Sequence, residues 1–269
     1  MILFQALILG LVEGVTEYLP VSSTGHLILA QRVLGIPRSE AADVYAICIQ
    51  SGAIVAVLGI YRQRVSQMLS GIAGRDVAGR RLFLQLVVAF LPAATLGFLF
   101  DDAIEAFLFG LWPVVIAWVV GGVAILAIKG REGGRGLEAL DTRTALLIGC
   151  AQCLALWPGT SRSLATILGA VLLGMSLPAA VEFSFLLGLE TLGAATIYSA
   201  LKHGGEMVSV FGLAPLAIGF LAAAVSAAVS VKWMVGWLQS HGLGVFAAWR
   251  IGLAALVAAL VILNVLPAS

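Results

Sequence analysis

Glu13 and Glu17 stand four residues apart in an apolar segment that Pro20 interrupts, and Ser22, Ser23, Thr24, Gly25 and His26 follow the interruption. At that spacing a helix places both carboxylates on one face. An ionised carboxylate in apolar surroundings carries a large desolvation cost, so the pair needs a cation, a water-filled cavity or a proton. Pro20 removes a backbone donor and turns Leu19 away from helix, which puts the hydroxyls on irregular backbone or at the start of a new helix. Helix starts hold anions. Together these residues compose a buried polar site for phosphate, with a divalent metal as the charge partner of Glu13 and Glu17. His26 alone is weak evidence, because a lone histidine is as often a hydrogen-bonded structural residue as a catalyst.

A second constellation runs from Trp157 to Thr166, reading WPGTSRSLAT. Pro158 and Gly159 permit a sharp turn and close approach of backbone to a ligand. Thr160, Ser161, Ser163 and Thr166 supply hydroxyls at the head of an apolar helix, and Arg162 is the only arginine between Ala145 and Ala180. An arginine at such depth stays charged and needs anionic company, which a phosphate or a glutamate provides. The simplest arrangement faces Arg162 toward Glu13, Glu17 and the turn from Ser22 to His26. Two other readings use the same residues. The glutamates can form a proton or cation relay of a carrier, and the hydroxyls can satisfy broken helix ends with Arg162 as a structural counter-ion. Glu182 and Glu190 are ambiguous: the first falls near a span end where water is close, the second at mid-span, where it needs a partner.

Such groups need elements that hold them in a dry interior. Hydrophobic residues make up 61% of the 269 and charged residues 11%, and the mean hydropathy is +1.08. This balance excludes an ordinary soluble domain and predicts an all-α polytopic membrane protein, since apolar runs of roughly 20 residues cross a bilayer as helices. The net charge of +1, with basic residues in loops rather than along a stripe, implies no nucleic acid partner. Met1 to Val12 has no charged side chain, unlike the basic start of a cleavable leader, so this end is read as mature. Cys48, Cys150 and Cys153 lie in apolar runs, and no histidine or second pair accompanies the C-x-x-C of Cys150 and Cys153. All three are expected as small buried residues. The six tryptophans fall mostly near span ends, as interface anchors do.

Full spans are expected at Tyr45 to Ile60, Leu82 to Phe100, Leu111 to Ile128, Val181 to Leu201, Phe211 to Val231 and Leu243 to Leu263. The loop from Arg62 to Arg81 has five arginines and one aspartate, the next holds Asp101, Asp102 and Glu105, and Lys129, Arg131, Arg135 and Arg143 mark the third. Basic loops stay in the cytoplasm, so the acidic loop and both termini face outward.

A shift of 139 positions lays Ala6 to Gly10 over Ala145 to Gly149, Glu13 over Gln152, Ser22 over Ser161 and Leu34-Gly35 over Leu173-Gly174. The chain thus reads as a single integral membrane domain of two copies, at about 1–130 and 140–269. With three spans per copy, the copies must have opposite orientation, an inverted-topology internal repeat. Each copy opens with an apolar pair broken at its middle, 3–34 and 145–173, whose halves are too short to span. Two re-entrant helical hairpins fit better, and broken backbone at membrane depth must line a shared chamber.

At these two motifs the chain resembles the bacterial undecaprenyl-diphosphate phosphatase family, also known as the bacitracin resistance proteins. EGVTEYLPVSSTGH matches the family's first signature and PGTSRSLAT its second, with QCLALWPG and EFSFLL alongside, so the resemblance covers essentially the whole chain. It implies six transmembrane helices with two re-entrant hairpins, in the inner membrane, and an active site open to the periplasm. The implied activity is hydrolysis of a C55 polyprenyl diphosphate to the monophosphate with Mg²⁺ or Ca²⁺. This would recycle the carrier lipid of peptidoglycan synthesis and confer resistance to bacitracin, which competes for that substrate.

Carried over, the resemblance implies Glu17 as the base or metal-linked carboxylate, Ser23 as the favoured nucleophile with His26 competing as nucleophile or acid, Glu13 as a metal ligand and Arg162 as the transition-state clamp. Ser22, Thr24, Gly159, Thr160, Ser161, Ser163 and Thr166 would bind substrate. A homodimer is an open expectation, and a polyprenyl-phosphate flippase or other inverted-repeat carrier is the alternative activity. One departure is Glu190 in LLGLETLGAAT, where family members usually carry a proline shortly after EFSFLL. It puts the local helix bend in doubt.

Overall fold

Capping side chains and left-handed glycines divide the apolar chain. Ser39 Oγ accepts from the Ala42 N–H at 3.2 Å, Asp141 Oδ1 from the Thr144 N–H at 2.7 Å and Ser161 Oγ from the Leu164 N–H at 3.2 Å, so each opens a helix. Gly35 and Gly174, with φ of 65° and 89°, follow two others. In the computed structural model, which describes residues 1–108, 110–131 and 133–267, the helices are α1 Leu3–Thr16, α2 Ser23–Val33, α3 Glu40–Ile60, α4 Arg62–Ile72, α5 Val77–Leu108, α6 Leu111–Ala127, α7 Thr142–Gln152, α8 Arg162–Leu172, α9 Leu177–Phe211, α10 Leu213–Trp237 and α11 Gly244–Ile262. The side chains of 101–103 and 105–107 fall outside the described set, and with them the acidic Asp101, Asp102 and Glu105.

Among the described residues five helices are long and apolar enough to cross a membrane: Glu40–Ile60, Val77–Phe100, Leu177–Phe211, Leu213–Trp237 and Gly244–Ile262. The helix at the expected span Leu111 to Ile128 covers Leu111–Ala127, has 17 residues and is shorter. The four helices α1, α2, α7 and α8 have 14, 11, 11 and 11 residues, and even the first is only about 21 Å long at 1.5 Å per residue. Both short pairs break at the expected place. The second also contains a 3-10 turn at Cys153–Leu156 before Trp157.

Several expectations change. The stretch from Arg62 to Arg81 is not a plain loop: Val65, Met68 and Gly71 share one helical face, and α4 packs on α5. Its backbone comes so close that a side chain on Gly71 would meet the Arg80 backbone. Helix α9 runs unbroken through Glu190, so the missing proline leaves no bend to replace. Of the cysteines only Cys48 is buried; Cys153 is half-buried and Cys150 exposed. Periodicity explains this, because α7 buries the face of Ile148, Gly149 and Gln152 and turns Cys150 outward. Trp118 sits fully buried inside α6 rather than at a span end.

Small residues bring the helices together. Helix α1 lies along α10, where side chains on Gly10 and Gly14 would strike the backbone at Gly219 and Ala223. Ser230 Oγ donates to the Gly14 carbonyl at 2.9 Å across this contact. Helix α10 also packs on α3, and α3 on α9, tied by Tyr45 Oη to the Pro215 carbonyl at 2.9 Å and Thr196 Oγ1 to the Ile47 carbonyl at 3.2 Å. Helix α7 packs on α5, and α11 on α6. At one end of the bundle Arg64 Nε donates to Glu182 at 2.7 Å and its Nη2 to Glu138 at 3.2 Å. Glu182 therefore has a cation. At the other end Arg32 donates to the Pro267 carbonyl, and His203 lies against Glu40.

Candidate active site

Both chain breaks end on the same unusual conformation. Ser22 has φ 75° and ψ 100°, and Ser161 has φ 77° and ψ 118°. Only one other described non-glycine residue, Asn264, has a positive φ. Such torsions are disfavoured for an L-residue and persist only where the surroundings enforce them. Each serine is the N-cap of its helix, and the two lie 139 positions apart, as do the first residues Ser23 of α2 and Arg162 of α8. The first helical turn thereby presents a hydroxyl after one break and a guanidinium after the other.

Both reach Glu17, in the turn immediately after α1. Ser23 Oγ donates to its Oε2, Gln50 Nε2 from α3 donates to the same oxygen at 3.1 Å, and Arg162 Nη2 donates to Oε1 at 3.0 Å. Arg162 also donates from Nη1 to the Ser184 carbonyl at 2.9 Å and lies 5.2 Å from the centre of the Tyr18 ring. Gly188 leaves room for it, since a side chain there would strike the guanidinium. One carboxylate thus joins both breaks in a buried ion pair. Glu13, one helical turn earlier, is 1% exposed, and neither of its carboxylate oxygens has a hydrogen-bond partner among the described residues. A charge so placed demands a cation or a proton.

Two cavities meet here. The smaller, about 210 Å³, is lined by Glu17, Ser22, Ser23, Ser161 and Arg162, with an apolar wall that includes Ala93, Leu156 and Leu192. The larger, about 830 Å³, begins at Glu13 and runs to Arg38, Lys202 and His203. Ser23, Thr24 and Gln50 line both. Gly159 also borders the smaller cavity.

Other expected residues lie elsewhere. Ser163 is fully buried and donates to the Leu19 carbonyl at 3.0 Å, and Thr166 Oγ1 lies 2.9 Å from the Arg162 carbonyl and 2.7 Å from Ser184 Oγ. Ser163 thereby ties the second break to the first and Thr166 ties α8 to α9, and neither they nor Thr160 are among the residues lining the two cavities. The His26 ring points the other way. Its Nδ1 is 2.6 Å from the Ser22 carbonyl, its Nε2 accepts from Trp249 Nε1 at 3.0 Å, and the ring stacks on Trp249 at 8°. With both nitrogens occupied, His26 borders neither cavity.

Two residues went unnoticed in the sequence. Gln50 sits in an otherwise apolar span, where a polar side chain facing Glu17 signals a site. Arg250 lies within the last span, and its sequence signal was the same one that singled out Arg162: a guanidinium at membrane depth. It is 0% exposed and donates to main-chain carbonyls of Pro20, Ala117, Trp118 and Gly159.

With this geometry in place, similarity to known proteins is specific. The model of the family described as bacitracin resistance protein BacA matches residues 6–256. A protein named undecaprenyl-diphosphatase 1 from Chromobacterium violaceum is 47% identical over 252 residues, covering 93% of each chain. Proteins named undecaprenyl-diphosphatase from Sorangium cellulosum and Nitrosomonas europaea are 44% and 45% identical, over 94% of this chain and 85% and 92% of theirs. The match runs through both breaks, the spans between them and Arg250, so the chain belongs to the bacitracin resistance protein BacA family.

Proposed function

We propose that this protein is a membrane phosphatase that hydrolyses undecaprenyl diphosphate to the monophosphate and inorganic phosphate, recycling the lipid that carries peptidoglycan precursors. The observation that carries this reading is the position of Glu17, which accepts from Ser23, Gln50 and Arg162 where two cavities meet. The names of its relatives support the substrate.

In the proposed reaction Glu17 takes the Ser23 proton as Oγ bonds to the terminal phosphorus. The bond from that phosphorus to the bridging oxygen breaks, and the lipid monophosphate leaves with the electron pair and the proton held by Glu17. Water then attacks the phosphoserine and gives its proton to Glu17, phosphate leaves, and Ser23 recovers its proton. Arg162 pairs with Glu17 and places positive charge beside the equatorial oxygens of a loose transition state. Its Nε–H has no partner among the described residues. His26 serves in this scheme as a wall that fixes the Ser22 carbonyl.

The two unpartnered carboxylate oxygens of Glu13, hard oxygen donors, suit Mg²⁺ or Ca²⁺. Among the described residues no three His, Cys, Asp or Glu side chains converge as a metal cage, which leaves substrate oxygens and water to complete a shell held by Glu13 and Glu17. Such a cation, when bound, would neutralise the diphosphate and orient the leaving group.

The architecture is read as six spans, with Leu111–Ala127 the sixth, and two re-entrant pairs in inverted copies. Support comes from the short lengths of α1, α2, α7 and α8, and from the matched torsions of Ser22 and Ser161. The larger cavity opens beside Ser39 and Glu40, at the end of α3 that the charge rule assigns to the outside. The periplasmic face follows, with the lipid tail along the apolar wall of the smaller cavity and phosphate leaving through the larger.

The test is phosphate release from undecaprenyl diphosphate by purified protein in detergent, with and without Mg²⁺ or Ca²⁺, and its suppression by bacitracin. Metal-dependent release that Arg162→Ala lowers at least about 10²-fold supports the reading. Absence of release under every metal condition, with lipid moving across reconstituted vesicles, would leave the carrier instead.

A further inference from the structure

Arg250 is a buried cation that no part of the proposed reaction uses. Its acceptors are four main-chain carbonyls: Trp118 at 3.3 Å from Nε, Pro20 at 3.3 Å from Nη1, and Ala117 and Gly159 at 2.8 Å from Nη2. No carboxylate is among them. Two of the four belong to α6 and would fasten α11 to it. The other two lie in the chain breaks, and Pro20 and Gly159 stand 139 positions apart, each two residues before the left-handed serine that caps the next helix.

One planar group therefore holds the same carbonyl in both copies, and its rigid fork fixes the distance between the two turns. That distance decides whether Ser23, from the first turn, and Arg162, from the second, reach Glu17 together. The surroundings are shaped for the guanidinium. A side chain on Gly121 would collide with it, and Gly159, at φ 95°, lies against Val114 and Ala117 of α6.

We propose that Arg250 is a positioning residue for the two anion-binding turns, holding Ser23 and Arg162 in register across the site without touching the substrate. The inference rests on the phosphatase reading for its kinetic consequence but not for its structural one. A side chain that only fastens α11 to α6 would change stability and leave the turnover of folded protein unchanged. A positioning group changes turnover, because a misplacement of 1 Å costs about 10²-fold.

The experiment compares Arg250→Lys, Arg250→Met and Gly121→Ala with the parent, each confirmed as folded by size-exclusion profile. Phosphate release is measured against undecaprenyl diphosphate concentration. The expected result is a kcat loss of about 10²-fold in Arg250→Met, a smaller loss in Arg250→Lys and KM within about threefold. Gly121→Ala keeps the guanidinium but displaces it, so it should lower kcat even if both Arg250 variants fail to fold.

The second readout needs no activity. With the three native cysteines replaced by alanine, spin labels at Thr24→Cys and Thr160→Cys report the separation of the turns, and the distribution should shift or broaden in Arg250→Met and Gly121→Ala. A kcat within about twofold of the parent in folded Arg250→Met, or a lowered kcat with an unchanged label distance, would overturn the proposal. Should the parent release no phosphate, the phosphatase reading fails, and the label distances alone decide the role of Arg250.

Discussion

Ser23 and His26 are three residues apart, yet the helix between them sends them to different places. Ser23 donates to Glu17 at the cavity junction, while His26 is held between the Ser22 carbonyl and the Trp249 indole. Ser23→Ala should therefore lower phosphate release by at least about 10³-fold, whereas His26→Gln should stay within about tenfold of the parent. Parallel rate measurements on the two variants check this, and a larger loss in His26→Gln would return the histidine to the chemistry. Glu17→Gln has a second cost, because it strands the buried Arg162 guanidinium. Breaking such a pair from one side costs about 3–5 kcal/mol, so this variant should lose thermal stability as well as activity. Glu13→Gln leaves that pair intact; its melting temperature should be near the parent's while the divalent-metal concentration for half-maximal rate rises. At this scale charged side chains in apolar surroundings were the readable signal, and it picked out Glu13, Glu17 and Arg162 while the same signal at Arg250 went unread. It was silent on which hydroxyls face inward. Ser163 and Thr166 have the same chemistry as Ser23, and only the rotation of α8 assigns them to the main chain.

The elements show why the site is where it is. Helix α1 holds Glu13, and leads into Glu17, against α10 through glycines whose missing side chains let the two backbones touch. Gly14→Leu would drive the helices apart, and both glutamates would move with α1. Its folded yield and turnover should fall together, whereas Ser230→Ala removes a single interhelical hydrogen bond at the same contact and should cost about 0.6 kcal/mol. Thermal unfolding in detergent with rate measurements separates the two, and a Gly14→Leu protein with parental stability would refute the close-contact account. The break positions were legible because a proline and a serine cap mark each of them, with Ser22 and Ser161 139 positions apart. Helix α4 was hidden for the opposite reason, since the five arginines from Arg62 to Arg81, two of them within the helix, dominate a stretch with few apolar residues. The uninterrupted α9 shows a further limit: a charged residue in place of a helix-bending proline removes the bend without revealing what the straight helix packs against.

Across the whole molecule, the two ends of the bundle differ in how their charges are used. At one end Arg64 binds Glu138 and Glu182, Arg81 donates to the Leu140 carbonyl and Arg135 to that of Leu173, so cations from three segments converge on one layer. At the other, Arg32 meets Pro267, and the larger cavity opens among Arg38, Ser39, Glu40 and Lys202. In the proposed orientation, which keeps basic residues near span ends in the cytoplasm, the first end faces inward and the cavity mouth outward. The two exposed positions Ser39, before α3, and Ser240, after α10, lie at opposite ends in this orientation. In a background with Cys48, Cys150 and Cys153 replaced by alanine, Ser39→Cys should react with a membrane-impermeant maleimide in intact cells, and Ser240→Cys only after permeabilisation. The same orientation requires phosphate to leave on the Ser39 side. Vesicles with the Ser39 end outward, sorted by that labelling, should therefore release phosphate to the bath rather than retain it in the lumen. Labelling of Ser240→Cys in intact cells, or phosphate trapped inside such vesicles, would reverse the orientation and place the site on the cytoplasmic face.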